Sequence, residues 1–258
     1  MTGAGANGDA AAVTGPPAVE VTGIRFAHPD GRVALDDIHL RIETGERVAV
    51  LGPNGAGKTT LMLHLNGILR PAVGDVRIGG RRVGLVFQDP DDQLFMPTVR
   101  ADVAFGPANH GLTGIELTAR VQDALAAVGM EHAVDRHPSH LSMGERRRVA
   151  LATVLATDPD VLVLDEPSSN LDPRARRELV EVLRDLVAGR PITLVVVTHD
   201  LPFALELCPR SVVLDDGRLV ADGDTRTLLA DDALLGAHRL ELPYGFDRSS
   251  LRVTAPPA

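Results

Sequence analysis

The stretch Gly52, Pro53, Asn54, Gly55, Ala56, Gly57, Lys58, Thr59, Thr60 matches the pattern G-x-x-x-x-G-K-[ST] in full. It limits what can stand on either side, because the motif works only between a strand and a helix. Residues 47–51 form an apolar run that reads as a buried strand, and helix-favouring residues follow over 60–69, closed by Pro71. Glycines allow the backbone N–H groups to turn inward around a polyphosphate, and the helix start adds partial positive charge. Lys58 is expected to reach the β- and γ-phosphates, and the Thr59 hydroxyl to sit on Mg²⁺.

Composition bounds the rest. At 258 residues, 44% hydrophobic and 24% charged, the chain suits one large globular domain or a domain with a subdomain. Its longest apolar runs, 161–164 and 192–197, are too short to span a bilayer. No basic start followed by an apolar core opens the chain, so no secretory signal is expected. A formal charge of −9 argues against nucleic acid or anionic lipid as a partner held by bulk electrostatics. The single Cys208 excludes an internal disulfide framework and is expected to pack rather than react.

Residues 1–17 are rich in Gly, Ala, Thr and Pro and read as a flexible tail. Over 19–42 short alternating runs around a Pro29-Asp30-Gly31 turn suggest an antiparallel sheet beside the phosphate-loop core. Strands are expected at 74–78 and 83–88, around a Gly79-Gly80 turn. Helical periodicity dominates 98–156, interrupted by Pro107, Gly111, Gly114, Gly129 and Pro138. Apolar strands return at 161–164 and 192–197, with a helix over 174–187 whose start is capped by Asp172 and Pro173. Asp216-Gly217 marks a closing hairpin. Beyond Leu240 the proline-rich end is expected to fray.

Two further patterns carry chemistry. The run 161–164 ends in Asp165 and Glu166, which a buried parallel strand would place at the mouth of the sheet. There Asp165 suits Mg²⁺ and Glu166 suits the orientation of an attacking water. In 141–148, Ser142 and Glu145 have the spacing of a capping box, so a well-capped helix starts there. That start would also present N–H groups to an anion.

Taken together, these motifs resemble the ATP-binding subunit of ABC transporters over about 19–240. Besides 52–60 and 161–166, the family signature L-S-G-G-Q stands here as Leu141, Ser142, Met143, Gly144, Glu145. Residues 169–172 match the family's D-loop, Gln88 its Q-loop glutamine, and His199 its switch histidine. The resemblance implies an α/β P-loop NTPase cassette with a mainly parallel core sheet, an N-terminal antiparallel β subdomain and a helical signature subdomain. The expected boundaries are an ATPase domain at 18–240, its helical subdomain at about 96–156, and a C-terminal tail at 241–258. It further implies ATP and Mg²⁺ as cofactors, with ATP sandwiched between the phosphate loop of one cassette and the signature helix of another. Ser142, Gly144 and Glu145 would then meet the partner chain's nucleotide, Asp172 of the D-loop would join the nucleotide-binding set, Gln88 would hold Mg²⁺ and water, and His199 the γ-phosphate. Lys58, Gln88, Glu166 and His199 would form the catalytic set.

Departures from the family pattern carry information too. Met143 replaces a glycine. Glu145 replaces a glutamine and brings negative charge towards phosphate, for which Arg146, Arg147 and Arg148 are candidate compensation. The aromatic that stacks on adenine is replaced by His28, which either stacks or is an exposed turn residue. The segment 84–99 followed by 102–107 resembles the ATPases of energy-coupling-factor importers, especially the cobalt and nickel group. Leu94 and Phe95 are expected there as an exposed apolar pair that docks a helix of a polytopic membrane subunit. His132, His137 and His140 lack a paired-ligand pattern and read as solvated or structural. The resemblance thus implies a motor subunit on the cytoplasmic face of the membrane, held through protein partners and paired with itself or a related ATPase. Its cargo would be cobalt, nickel or a vitamin. A soluble ATPase acting on DNA or ribosomes is the alternative class, although no sustained heptads lie between Lys58 and Ser142. A nucleotide switch with little turnover sits poorly with the intact acidic and histidine set.

Overall fold

The apolar runs of the sequence become the middle of a six-stranded sheet, because residues buried on both faces need cover on both sides. The computed structural model describes residues 15–251. Among them, strands β1 (Val19–Ala27), β2 (Val33–Ile42) and β3 (Arg47–Leu51) precede helix α1 (Lys58–Leu65). Strands β4 (Val73–Arg77) and β5 (Val83–Val86) follow, then helices α2 (Val99–Asn109), α3 (Gly114–Ala127) and α4 (Met143–Leu155). The remainder alternates as β6 (Val161–Asp165), α5 (Pro173–Gly189), β7 (Thr193–Thr198), α6 (Leu201–Leu207), β8 (Arg210–Asp215) and β9 (Arg218–Asp224). Two short helices close it, α7 (Thr225–Ala230) and α8 (Asp232–Ala237).

The large sheet runs β5-β6-β7-β3-β8-β9, parallel except for β9. A smaller antiparallel sheet runs β2-β1-β4. Alternation along β6 shows how the layers divide the core. Val161 and Val163 face the small sheet and α1, joining Ile24, Leu35 and Met62. Leu162 and Leu164 face the other way, joining Leu151 of α4, Leu183 of α5 and Phe203 of α6. This is the α/β cassette expected, with a parallel core, an antiparallel N-terminal sheet and a helical region between β5 and β6.

Several local expectations are corrected. The Gly79-Gly80 turn stands between two strands as expected, but they belong to different sheets: β4 pairs with β1 and β5 pairs with β6. Helix α1 stops at Leu65, a turn before the expected 69, with Asn66 as its cap. Pro107 lies inside α2 instead of breaking it; it removes one N–H, the partner of the carbonyl four residues back, and the helix ends two residues later at Asn109. The expected N-terminal tail lies outside the described residues up to 14, but the Pro16 and Pro17 carbonyls accept bonds from Arg81. Beyond Leu240 the chain does not fray as far as it is described. Leu242 and Leu251 are buried, Arg226 donates to the Ser250 carbonyl, and Arg248 pairs with Asp232. Residues 252–258 lie outside the described residues. Cys208 is buried as expected, and burial pushes its thiol up to about 12.

Candidate active site

The phosphate loop joins the end of β3 to α1, and two glycines let it press against neighbouring main chain. A Cβ on Gly57 would come within 2.3 Å of the Ala34 carbonyl oxygen, and one on Gly52 within 2.1 Å of that of Leu214. Gly57 also takes a left-handed conformation (φ 104°) as the N-cap of α1. With no side chain it caps nothing, and no acidic residue stands in the first turn. The initial N–H groups of α1 are therefore left to an anion. Lys58 is buried; its Nζ donates to the Gly52 carbonyl at 2.7 Å and the Pro53 carbonyl at 3.1 Å. Burial lowers its pKa, and the Glu166 and Asp165 carboxylates oppose that. The Glu166 carboxylate lies 3.9 Å from Nζ.

Parallel register brings the other groups to the same place. Leu51 pairs with Thr198, and Val197 pairs with Asp165, so β3, β7 and β6 end side by side. Strand alternation would send Asp165 and Glu166 to opposite faces. Instead Glu166 adopts φ 42° just past the strand, and both carboxylates line the cleft above the loop. Such a left-handed non-glycine residue is held by its surroundings. Here Glu166 N donates to the Val197 carbonyl at 2.8 Å. Its Oε2 accepts from the Thr198 hydroxyl at 2.9 Å and from His199 N at 3.2 Å. Its Oε1 lies 2.8 Å from His199 Nδ1. Asp165 Oδ2 accepts from the Thr59 hydroxyl at 3.3 Å. Asp165 Oδ1 is buried with no hydrogen-bond partner. Burial, then the neighbouring Glu166 charge, pushes the Asp165 carboxyl up to about 6. An unpartnered buried oxygen beside a hydroxyl fits a hard divalent cation such as Mg²⁺.

Of the residues singled out from sequence, His28, Asn54, Gly55, Ala56, Gly57, Lys58, Thr59, Thr60, Gln88, Asp165, Glu166 and His199 share this cleft. Gly52 and Pro53 lie beneath it and receive Lys58. Ser142, Gly144, Glu145 and Asp172 do not line it. They belong to two other helix starts. Asp172 caps α5, accepting from Arg174 N and Ala175 N, each at 2.8 Å. Ser142 Oγ accepts from Glu145 N at 3.3 Å while Glu145 Oε2 accepts from Ser142 N at 2.8 Å, a complete capping box.

The expected compensation by three arginines is not found. Arg146 lies 3.3 Å from Asp91 and Arg148 3.1 Å from Glu178, while Arg147 is buried against main-chain carbonyls. Glu145 instead turns its charge onto its own helix start, and its carboxyl is held low first by the Ser142 N–H. The expected exposed pair Leu94–Phe95 is also corrected. Leu94 is buried, and Phe95, 62% exposed, meets Phe105 edge-on at 5.0 Å. His28 stands edge-on to Phe26 with centroids 5.5 Å apart. No group of three or more His, Cys, Asp or Glu among the described residues could hold a metal. Sequence reasoning missed Arg32 and Val33, which line the cleft next to His28. Val33 is 60% exposed, an apolar side chain left out of the core at the start of β2. Its run of alternating residues carries no sign of that.

Comparison with known proteins agrees with this geometry. The family described as ABC transporter matches residues 35–169. A putative ABC transporter ATP-binding protein of Streptomyces avermitilis is 61% identical over 251 residues, covering 93% of this chain and 94% of that protein. The energy-coupling factor transporter ATP-binding protein EcfA of Methanothermobacter thermautotrophicus is 45% identical, over 89% of this chain and 78% of its own. Among solved structures, cbiO1 from Clostridium perfringens, part of the ABC transporter complex cbiONQ, aligns with TM-score 0.78 and 34% identity. That alignment covers 86% of this chain and 94% of cbiO1. The chain belongs to the ABC transporter family, as an ATP-binding subunit with the family's ATPase activity.

Proposed function

We propose that this chain is the ATP-hydrolysing motor of a membrane importer of the energy-coupling-factor type, one that takes up cobalt or nickel. The observation that carries the hydrolytic reading is the buried Glu166 carboxylate, fixed by Thr198 and His199 and set beside Lys58. Glu166 takes a proton from the attacking water as the water oxygen bonds to the γ-phosphorus. The bond from that phosphorus to the bridging oxygen breaks, and the proton then passes to the phosphate products. Lys58 exchanges its carbonyl partners for phosphate oxygens, and His199 orients Glu166 and meets the γ-phosphate. Thr59, Asp165 and Gln88 would hold Mg²⁺, which when bound would supply charge neutralisation at the phosphates. His28, with Arg32 and Val33, supports the base.

The signature residues Ser142, Gly144 and Glu145 stand apart from the cleft of their own chain, which supports a site completed by a second cassette. Phe95 and Phe105 form the exposed apolar spot that would receive a helix of a polytopic membrane subunit. No helix among the described residues is long and apolar enough to cross a membrane, so attachment at the cytoplasmic face would run through that partner. The likeness to EcfA and to a cbiONQ component supports the importer class, and the metal cargo rests on the resemblance carried by 84–107.

The test uses Glu166→Gln. Phosphate release should fall by about 10²–10⁴ with nucleotide affinity kept; unchanged turnover would remove Glu166 from its role. The same variant, loaded with ATP, is then captured from detergent-solubilised membranes. A polytopic membrane protein with a His-rich small subunit supports metal import. A vitamin-binding subunit changes the cargo, and ribosomal or DNA-associated proteins would overturn the importer reading.

A further inference from the structure

Arg147 lies in the second turn of α4, five residues past the N-cap Ser142, and only 2% of it is exposed. No carboxylate pairs with it among the described residues. Its guanidinium faces main-chain carbonyls of two separate loops. Nη1 donates to the Gln88 carbonyl at 2.5 Å and reaches that of Phe87 at 3.5 Å. Nη2 donates to the Ser169 carbonyl at 3.0 Å, and Nε is buried with no partner.

Burying a guanidinium is costly, and here the Asp89 and Asp165 charges oppose that cost without a direct ion pair. If this position served packing alone, an aliphatic side chain would fill it at lower cost. What the guanidinium adds is a rigid planar fork whose two ends can hold two different segments at once. Those segments are the loop after β5, which carries Gln88, and the loop after Glu166, which leads to Asp172. Met143, one turn before Arg147 and on the same helix face, lines a small cleft with Gln88, Asp89, Arg147 and Asn170. One helix start, two loops and one side chain thus meet at a single point.

We propose that Arg147 is a positioning residue that ties the loops 87–88 and 169–170 to the signature helix, so that displacement of α4 moves both together. This rests on the ATPase reading above and extends it. A nucleotide engaged at the start of α4 would bear, through Arg147, on the Gln88 loop and the segment before Asp172 in the same chain. The two nucleotide sites of a cassette pair would be linked by a side chain that touches neither.

The experiment compares wild type, Arg147→Lys and Arg147→Met as full chains. It measures ATP turnover, equilibrium affinity for a fluorescent ATP analogue, and amide hydrogen exchange. For Arg147→Met, turnover should fall about 10- to 100-fold, as for a small misplacement of catalytic groups. Nucleotide affinity should stay within a few-fold, and exchange should quicken at 86–90 and 168–171 while 149–155 keeps its protection. Arg147→Lys, a single point donor, should hold one loop and lose the other, with a smaller fall in turnover. Unchanged exchange in both loops, or loosening that begins in α4 itself, would overturn the proposal and leave Arg147 a structural residue. If Arg147→Met does not fold, Arg147→Lys and Arg147→Gln carry the same readouts. Wild-type protein without ATP turnover would count against the ATPase reading, whereas the exchange pattern still judges Arg147 on its own.

Discussion

Two helix starts in this chain face opposite chemical situations. At α1, Gly57 supplies no cap and the first turn holds no acid, so the initial amides stay open under the loop glycines. At α4, Ser142 and Glu145 satisfy each other's main-chain N–H groups before any ligand arrives. The difference separates a start built to receive anion charge directly from one stabilised in its own right. Of the four amides that a helix start leaves unbonded, those of Met143 and Gly144 are the ones that Ser142 and Glu145 leave over. The open start lies beneath a cleft that its own chain completes with Asp165, Glu166 and His199. The closed start lies outside that cleft and borders only a smaller one, through Met143, beside the Gln88 and Asn170 loops, as expected of a surface that serves another copy's site.

The contrast breaks most severely at Gly57. Gly57→Ala puts a methyl against the Ala34 carbonyl and should displace the open amides. Losing two hydrogen bonds to a charged group, at about 1.5–3 kcal/mol each, would weaken nucleotide binding by 100-fold or more. A fluorescent-nucleotide titration checks this, and wild-type affinity would show that the α1 amides are not the anion site.

The next effect is a pH dependence. The folded chain keeps a proton on Asp165 up to about pH 6, whereas an unfolded aspartate releases it near pH 4, on the order of its reference value. With more protons bound in the folded state, unfolding free energy without metal should fall as pH rises from about 4 to 6. Asp165→Asn should flatten that part of the wild-type profile in thermal melts. Mg²⁺ should restore stability above about pH 6, where the carboxylate is free to bind it. Parallel profiles for the two proteins would contradict the assignment.

At the closed start, Ser142→Ala removes the cap and should cost about 1 kcal/mol, lowering the melting temperature by roughly 2–4 °C. Affinity of the isolated chain for nucleotide should not change. A weaker affinity would place α4 at its own chain's nucleotide and erase the contrast. The smallest effect is expected for Glu145→Gln, which keeps the acceptor and removes the charge at the helix start. It should cost about 0.3–1 kcal/mol near neutral pH. Because the Glu145 carboxyl is held low in the folded chain, its contribution is full above the ordinary carboxylate range. It should disappear as pH falls through the lowered value, so the wild-type and Glu145→Gln melts converge in acid.

Residues 52–60, Asp165, Glu166 and His199 were legible because each sits beside a local signal. Those signals are a glycine pattern, an apolar strand ending in carboxylates, and a second apolar strand ending in Thr198 and His199. The Ser142–Glu145 capping box was legible for the same reason, since its partners are three residues apart. The fate of the arginines after it was not. Arg146, Arg147 and Arg148 look alike in a run. Yet one meets Asp91, one is buried against the Gln88 and Ser169 carbonyls, and one meets Glu178. Helix rotation sends neighbours in sequence to different faces, and what stands opposite each face comes from distant chain. Leu94 and Phe95 divide in the same way, one into the core and one to the surface.

By itself, then, the order of residues determined the cassette architecture, the phosphate loop and the acidic strand end, because these depend on patterns a few residues long. Only the tertiary structure decided that β4 and β5 belong to different sheets and that Glu166 turns back into the cleft beside Asp165. It alone put the Glu145 charge on its own helix and made Arg147 the meeting point of two loops. Those outcomes depend on strand partners and helix faces brought together from far apart in the chain, which local pattern does not encode.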